Sequence, residues 1–308
     1  MIKLSNGFEF LFMAASGALG FDGRGWPWPP KYWLLRLIKR PDLFVPVTKT
    51  LTLERIIGHP FAICDLTDGV NNAVGLTNPG WAKFQKRYLP NIKDKVILSI
   101  TEKSLSKVLS LTDKIVEIEK MGNHNIVGLE FNSSCPNVEK IWLPMDVLKA
   151  CYRIKERTKL PLGLKIAYHQ THYLQAAKKT QGLVEWLSFN SINWEKVFPG
   201  KDSPLRSKFG TNGAVSGEII REFNKGMALE IKGAGIKTPV VASSIGWGKN
   251  FEEGYRDMLE AFGWAEAISF GSLFRRHPSW PFKMISRYLD FEERKTVCET
   301  APLLMKTK

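Results

Sequence analysis

The chain has 308 residues, of which 44% are apolar and 24% charged, a balance typical of a folded globular protein. This composition excludes disordered and fibrous classes, and the lack of a run of about 18 uncharged apolar residues excludes a polytopic membrane protein. The 44 lysines and arginines outnumber the 30 acidic residues, which leaves a net charge of +14. That charge favours anionic partners such as phosphate groups, acidic small molecules, nucleic acid or an anionic membrane.

The cysteines and the N-terminus indicate a reducing compartment. None of the four cysteines forms a C-x-x-C pair, so the pattern predicts neither a zinc ribbon nor an iron–sulfur cluster, and we predict no metal site. The apolar stretch from Phe8 to Gly20 is interrupted by Glu9 and has no clear cleavage site, so we do not interpret it as a signal peptide. We expect a cytoplasmic protein.

Short β-branched or apolar runs alternate with longer amphipathic runs along the chain. The predicted strands, in chain order, are Phe10–Ala15, Phe44–Lys49, Val96–Ile100, Ile126–Asn132, Leu162–Ile166, Trp186–Asn190, Val240–Ser243 and Ala267–Gly271. The predicted helices are Tyr32–Lys39, Trp81–Tyr88, Leu105–Met121, Met145–Thr158, Gly217–Lys232, Phe251–Phe262 and Phe282–Tyr288. Ser104 and Asn250 each precede a helical run and are expected to cap it.

Eight strands, most of them followed by a helix, predict an α/β fold of the (β/α)8 barrel type. The alternative is an open doubly wound sheet, which usually carries a glycine-rich nucleotide loop after its first strand, and neither common form of that loop occurs here. We find no internal repeat or linker, so the prediction is a single domain over residues 1–308.

Polar residues gather where the predicted strands end, which is where a barrel carries its chemistry. Lysines, amides, hydroxyls and one thiol follow successive strands, and barrel stability alone requires none of them. Four segments resemble the class 1 dihydroorotate dehydrogenase family, which are FMN enzymes on a (β/α)8 barrel. The segments are Ala15–Gly20, Val47–Glu54 (VTKTLTLE), Gly69–Gly80 (GVNNAVGLTNPG) and Leu129–Val138 (LEFNSSCPNV).

The resemblance implies an FMN-dependent oxidation of dihydroorotate to orotate, a step of pyrimidine biosynthesis. Cys135 matches the catalytic base, and a thiol needs neighbouring positive charge to act as a base at neutral pH. The residues implied for the substrate are Lys49, Asn72, Asn132, Asn137, Asn190 and Ser191. Amides suit this role, since each can both donate to and accept from the pyrimidine ring.

The resemblance also assigns residues to FMN. Lys49 and Lys165 match lysines beside the flavin pyrimidine edge, where a fixed ammonium stabilises the negative charge of reduced flavin. The other implied FMN residues are Ala15, Ser16, Gly17, Thr50, Ser216, Gly217, Ser243, Ser244, Gly271 and Ser272. Of these, Ser243, Ser244, Gly271 and Ser272 lie after the last two strands, where barrels commonly bind phosphate.

The sequence departs from the family pattern at two loops. The seventh strand usually ends in Gly-Gly-Ile, whereas here it ends in Ser243-Ser244-Ile245. The loop after Cys135 is short and bulky where the family has glycine-rich stretches, which could change the substrate. His169 and His172 stand where prolines are more frequent, and we interpret them as structural.

Several partners follow from the resemblance. The glycine motifs favour the NAD-linked branch, which works with a separate electron-transfer subunit, while fumarate or quinone stay open as acceptors. We expect a homodimer and no nucleic acid partner. The basic, aromatic segment from Trp26 to Arg40 could contact a membrane surface, but a barrel helix is the favoured interpretation.

Two other functions remain open from the sequence. Dihydrouridine synthases share the FMN barrel and a related Asn-x-x-Cys-Pro element, and they are often basic because they bind tRNA. A repurposed flavoprotein acting on another dihydropyrimidine would account for the altered loop after Cys135.

Overall fold

The computed structural model describes residues 1–25, 43–59, 61–122, 124–135, 142–170 and 172–304, with side chains described as far as residue 293. The predicted helix Tyr32–Lys39 and the rest of the aromatic, basic segment lie outside these residues. In the described part of the chain, no helix has both the length and the apolar character that a membrane span requires.

Eight parallel strands form the central sheet, so the predicted (β/α)8 barrel is confirmed. They are β1 (Phe12–Ala14), β2 (Val45–Pro46), β3 (Val96–Ile100), β4 (Ile126–Asn132), β5 (Leu162–Ile166), β6 (Trp186–Phe189), β7 (Val240–Ala242) and β8 (Ala267–Phe270). The strand order is β2-β1-β8-β7-β6-β5-β4-β3. Parallel bridges Val47–Ile97 and Leu51–Ile100 join the two ends of this sheet and close the barrel.

The longer helices are α1 (Trp81–Arg87), α2 (Leu105–Lys120), α3 (Pro144–Lys155), α4 (Tyr173–Thr180), α5 (Arg221–Gly233), α6 (Phe251–Ala261) and α7 (Trp280–Leu304). Single turns lie at Leu89–Asn91, Trp194–Val197, Arg206–Phe209, Glu218–Ile220 and Leu273–Arg276. The predicted caps are confirmed, because Ser104 accepts from the Lys107 amide and Asn250 from the Glu253 amide.

Two helix predictions need correction, and one helix was missed. The helix predicted from Gly217 begins at Arg221, because Gly217 instead ends a strand that pairs with Gly69. The helix predicted as Phe282–Tyr288 extends over Trp280–Leu304. Helix α4 was not predicted, since its eight residues are too few for a clear helical period.

A second sheet, which was also not predicted, stands at the carboxyl ends of the barrel strands. It contains Ile192–Asn193, Ala214–Gly217, Gly69–Asn72 and Ile63–Leu66, paired antiparallel in that order. We call it the rim sheet. Its residues come from the connections after β2 and β6, so the rim sheet brings two distant parts of the chain to one side of the barrel mouth.

The barrel interior is apolar at its amino-terminal end and polar at its carboxyl end. At the amino-terminal end, a hairpin of Ile2–Lys3 and Glu9–Phe10 packs on Trp186. A Cβ on Gly163 would lie 1.9 Å from the Trp186 ring, so glycine is needed for this ring to fit. At the other end the buried side chains are polar, including Thr50, Ser99, Glu130, Asn132, Lys165 and Ser188. This division places any chemistry at the carboxyl end.

Candidate active site

A cavity of about 850 Å³ opens at the carboxyl ends of the barrel strands. Most of the predicted site residues line it: Ala15, Ser16, Gly17, Lys49, Asn72, Lys165, Asn190, Ser191, Ser216, Ser243, Ser244, Gly271 and Ser272. Thr50, Asn132, Cys135 and Gly217 do not line the cavity, and Asn137 lies outside the described residues. The predicted residues that line the cavity therefore come from six of the eight strand ends and from the rim sheet.

Lys165 forms a buried ion pair at the cavity floor. Its ammonium lies 3.5 Å from an Oε atom of Glu130, and the two side chains are 8% and 1% exposed. The other Glu130 oxygen accepts from the Ser188 hydroxyl at 2.7 Å. Glu130 was not predicted from the sequence, yet it is the carboxylate that keeps a lysine charge at this depth compensated.

Lys49 lies in a different environment. Burial lowers the pKa of its ammonium, the nearby Cys135 thiol group acts to raise this pKa, and the Lys165 charge acts to lower it. Among the described residues no carboxylate pairs with Lys49, so this ammonium is available to an anionic ligand.

A chain of hydrogen bonds orients the predicted amides. Asn190 donates to Asn132 Oδ1 at 3.1 Å, and Asn132 Nδ2 donates to Thr50 Oγ1 at 3.1 Å. Thr50 Oγ1 lies in turn 3.3 Å from the Ser16 hydroxyl and 3.0 Å from the Ser99 hydroxyl. Asn132 and Thr50 are each 5% exposed, so they lie behind Asn190 and fix the face that it presents to the cavity.

The rim sheet supplies the opposite side of the cavity. Asn72 ends one of its strands, and Asn72 Nδ2 donates to the Ala214 carbonyl at 3.3 Å. Ser216 lies on the neighbouring strand and lines the cavity, while Gly217 is buried within that strand. Ser191 donates its backbone amide to Oδ1 of the preceding residue, Asn190, at 3.0 Å, just before the chain enters the rim sheet at Ile192.

The segment that carries Cys135 is anchored on β5. The hydroxyls of Ser133 and Ser134 donate to the Lys165 carbonyl at 3.0 and 3.1 Å, and the buried Gln170 side chain donates to the Ser133 carbonyl at 3.1 Å. Cys135 itself is partly buried. Most of the altered loop that follows, residues 136–141, lies outside the described residues. Gln170 was not predicted, because one glutamine in a loop carries no motif.

Neither histidine that follows β5 lines the cavity. Burial lowers the pKa of His169 to about 4, with Lys196 adding to the effect, so its imidazole is neutral at physiological pH. His172 occupies the position before the first residue of α4 and makes no side-chain cap there.

The loops after β7 and β8 form the end of the cavity where the sequence predicts a phosphate site. Ser243 donates to the Phe189 carbonyl at 3.2 Å, and Ser244 has a φ of 66°. A buried carboxylate, Asp257 of α6, accepts from the Gly246 amide at 2.8 Å and pairs with Arg221 of α5. These two supporting residues were not predicted, since they lie inside amphipathic helices with no local signal.

The outer wall of the cavity is apolar and basic. Ile56, Ile57, Phe61 and Val74 line it together with Arg55, from the connection between β2 and β3. Ile57 and Phe61 are 67% and 82% exposed. No sequence motif marks these positions, and they form the solvent-exposed part of the cavity wall.

The residues present fit FMN. Small residues cover the floor, and a Cβ on Gly271 would lie 3.3 Å from Ala15 Cβ, so a side chain at position 271 would crowd Ala15 in the cavity lining. Serine hydroxyls and loop amides stand at one end, which suits a phosphate, and the lysine ammonium groups stand on the floor, which suits an electron-rich ring. The volume is near the upper end of about 300–1,000 Å³ for ligand sites, enough for a cofactor and a small substrate.

The fold and the site define a flavin-binding (β/α)8 barrel of the oxidoreductase class. A sequence model of the family described as dihydroorotate dehydrogenase matches residues 33–238. The chain belongs to the dihydroorotate dehydrogenase family, whose members are FMN-dependent oxidoreductases acting on CH–CH bonds.

Three relatives illustrate the range of similarity. The catalytic subunit of dihydroorotate dehydrogenase B (NAD(+)) from Caldicellulosiruptor bescii is 28% identical over 88% of this chain and 85% of its own length. The subunit of the same name from Thermoplasma volcanium is 24% identical over 99% of this chain and 96% of its own length. A putative dihydroorotate dehydrogenase A (fumarate) from Aquifex aeolicus is 26% identical over 84% of each chain. The similarity to the NAD-linked subunits agrees with the resemblance found in the motifs.

Proposed function

We propose that this chain, as a single catalytic domain over residues 1–308, oxidises dihydroorotate to orotate with FMN as the first electron acceptor. The observation that carries the proposal is the convergence on one cavity of Lys49, which has no carboxylate partner among the described residues, and the amides of Asn72 and Asn190. A cationic group beside oriented amides is what an anionic pyrimidine requires.

The residues divide the work of substrate binding and proton removal. The Lys49 ammonium attracts the anionic substrate, and Asn190, held by Asn132, presents a fixed donor and acceptor pattern to the ring. The Cys135 thiolate, stabilised by the Lys49 charge, removes the proton from C5 of dihydroorotate. Asn72, Ser191 and Asn137 complete the proposed substrate cage.

Bound FMN would supply the acceptor for the hydride from C6, so that loss of the C5 proton and of this hydride would leave a C5=C6 double bond. Lys49 and Lys165 would stand at its pyrimidine edge, and Ser243, Ser244, Gly271 and Ser272 would hold its phosphate. Ala15, Ser16, Gly17, Thr50, Ser216 and Gly217 would line or support the ring site. Glu130 keeps the Lys165 charge in place during turnover.

The second half-reaction involves a partner. Relatives named as catalytic subunits of the NAD(+)-linked enzyme imply a separate electron-transfer subunit, and we propose that this chain reduces such a subunit. We also propose that it is a cytoplasmic homodimer, with no nucleic acid partner. The relative named for fumarate makes fumarate the first alternative acceptor to test.

The test is an anaerobic absorbance spectrum of the FMN-loaded protein before and after adding dihydroorotate. We expect the oxidised flavin band to bleach, and the Cys135→Ser variant to bleach at least about 100-fold more slowly, since general base catalysis contributes about 10²–10⁴-fold. Cys64→Ser is the matched control, because Cys64 is partly buried in the rim sheet and does not line the cavity.

Each other result removes a defined part of the proposal. A yellow protein that does not bleach would contradict the substrate, and other dihydropyrimidines and tRNA would then be tested in the same assay. Bleaching that is equally fast in Cys135→Ser would contradict the assigned base. A protein that cannot be loaded with FMN would contradict the cofactor.

A further inference from the structure

Ser244 has an unusual backbone conformation. Within the described part of the chain it is the one residue other than glycine with a positive φ, at 66°. This left-handed region is unfavourable for a residue with a Cβ, so the surrounding structure must hold Ser244 there. Ser244 lines the cavity beside Ser243, at the end where the phosphate of FMN is proposed to bind.

Asn224 contacts this strained segment from behind. It lies on α5 with an exposure of 0%, and its Nδ2 is 3.2 Å from Ser244 Oγ and 3.5 Å from the Ser243 carbonyl oxygen. The reverse amide orientation would place Oδ1 against the Ser243 carbonyl oxygen, so both contacts require the amide nitrogen on this side. One buried amide therefore reaches two successive residues of the loop.

The burial of the Asn224 side chain costs free energy. Its Oδ1 has no hydrogen-bond partner within the described residues, and an unsatisfied buried polar atom is unfavourable. A small apolar side chain on α5 would avoid that cost. The contacts to Ser243 and Ser244 are the ones that an apolar side chain could not make.

The other end of the same loop is held independently. Asp257 accepts from the Gly246 amide at 2.8 Å and is itself paired with Arg221. The segment from Ser243 to Gly246 is thus attached to two helices, α5 and α6, and Asn224 is the attachment at the strained position.

We propose that Asn224 is a positioning residue that holds Ser244 in the left-handed conformation, so that the Ser243-Ser244 segment is preformed for the phosphate group of FMN. This inference rests on the FMN binding proposed above. Asn224 has no contact with the cofactor in this role, because it acts through the two serines.

The experiment compares FMN with riboflavin, which carries the same ring without the phosphate. Dissociation constants for both are measured by flavin fluorescence quenching on apoprotein. In Asn224→Ala we expect the FMN affinity to fall about tenfold and the riboflavin affinity to stay within about twofold of wild type. Adding Ser244→Gly to this variant should restore most of the FMN affinity, since glycine adopts positive φ without support.

Three further variants keep the test decisive. Ser244→Ala and Ser244→Gly both lack the hydroxyl, so a direct contact between this hydroxyl and the phosphate would be lost equally in both, but only alanine needs support at a positive φ. We expect the selective loss of FMN in Ser244→Ala and a clearly smaller loss in Ser244→Gly, even if Asn224→Ala fails to fold. Asn125→Ala is the matched control, because Asn125 Nδ2 also contacts two backbone carbonyls, those of Ile92 and Lys93, at the opposite end of the barrel. We expect it to leave the ratio of FMN to riboflavin affinity unchanged.

The outcomes separate this inference from the proposed function. If wild type prefers FMN to riboflavin but the Asn224→Ala and Ser244→Ala variants keep that preference, the positioning role is wrong and the cofactor assignment stands. Equal losses for both ligands, or no recovery with Ser244→Gly, also overturn it. If wild type binds neither flavin, the cofactor assignment itself fails and the inference falls with it.

Discussion

The two lysines of the cavity show two ways in which one fold places a positive charge. Lys165 lies inside β5, and its partner Glu130 lies on the neighbouring strand β4. In the parallel register of β4 and β5, Asn132 lies opposite Lys165. Glu130 precedes Asn132 by two residues on β4, so its side chain points to the same inner face of the barrel. Lys49 follows β2 in an irregular segment, and no carboxylate pairs with it among the described residues.

This difference separates a structural charge from a binding charge. The fold compensates Lys165, so its position is defined before any ligand arrives. Burial lowers the pKa of Lys49 and costs free energy that an anionic ligand or the Cys135 thiolate can offset. We therefore expect stability to depend on the pair at Lys165 and ligand affinity to depend on Lys49.

The largest effect is expected when the pair is broken. Glu130→Gln leaves the buried Lys165 ammonium without its carboxylate, and we expect the free energy of unfolding to fall by about 3–5 kcal/mol. Urea unfolding of the apoprotein measures this loss. The control is Glu54→Gln, which removes an exposed pair with Lys107 and should cost at most about 1 kcal/mol. Similar losses in both variants would mean that the buried pair has no special role.

A smaller effect is expected when both members of the pair are removed. The double variant Glu130→Gln with Lys165→Met leaves no unpaired charge, so most of the lost stability should return. FMN affinity should stay below that of wild type, because the ammonium beside the ring is gone. The same unfolding and fluorescence measurements apply, and a double variant no more stable than Glu130→Gln would contradict the charge explanation.

The smallest effect on stability is expected at Lys49. Lys49→Met should change the unfolding free energy by less than about 1 kcal/mol, or raise it, because a desolvated ammonium is replaced by an apolar side chain. Orotate affinity should nevertheless fall at least about tenfold, since a hydrogen bond to a charged group is worth about 1.5–3 kcal/mol. Flavin difference spectra on orotate addition measure this affinity.

The pH dependence of the same variant gives a sharper test. The pKa of Lys49 is lower in the folded state than its value of 10.5 in an unfolded chain. As pH rises through the folded pKa towards 10.5, the unfolded chain binds more protons at this site, so the stability contribution of Lys49 increases. Wild-type apoprotein should gain stability relative to Lys49→Met over that window. A difference that is constant with pH would contradict the lowered pKa.

The barrel strands were predictable because each contains a short β-branched or apolar run bounded by turn residues. Val96–Ile100, Ile126–Asn132 and Leu162–Ile166 match the prediction at both ends. The predicted strand Phe10–Ala15 is divided, because Phe10 pairs with Ile2 in the N-terminal hairpin while Phe12–Ala14 joins the barrel. A local sequence pattern does not indicate which strand a given residue will pair with.

The rim sheet was not predictable for the same reason. Its strands have only two to four residues each, and its central pairing joins Asn72 to Ala214, which are 142 residues apart along the chain. No local period of two can develop over such short strands. The residues that support the site, such as Asn224 and Asp257, were missed because a lone polar residue in an amphipathic helix resembles any other.

The sequence by itself determined the barrel, the family and the residues at the strand ends, because hydrophobic period and short motifs are local properties of the chain. The tertiary structure decided which of these residues face the cavity and which stand behind it. It paired Lys165 with Glu130 and left Lys49 without a carboxylate partner among the described residues, it placed Asn132 behind Asn190, and it set Asn224 against Ser244. These are contacts between strands and helices far apart in sequence, and they exist only once the barrel has closed.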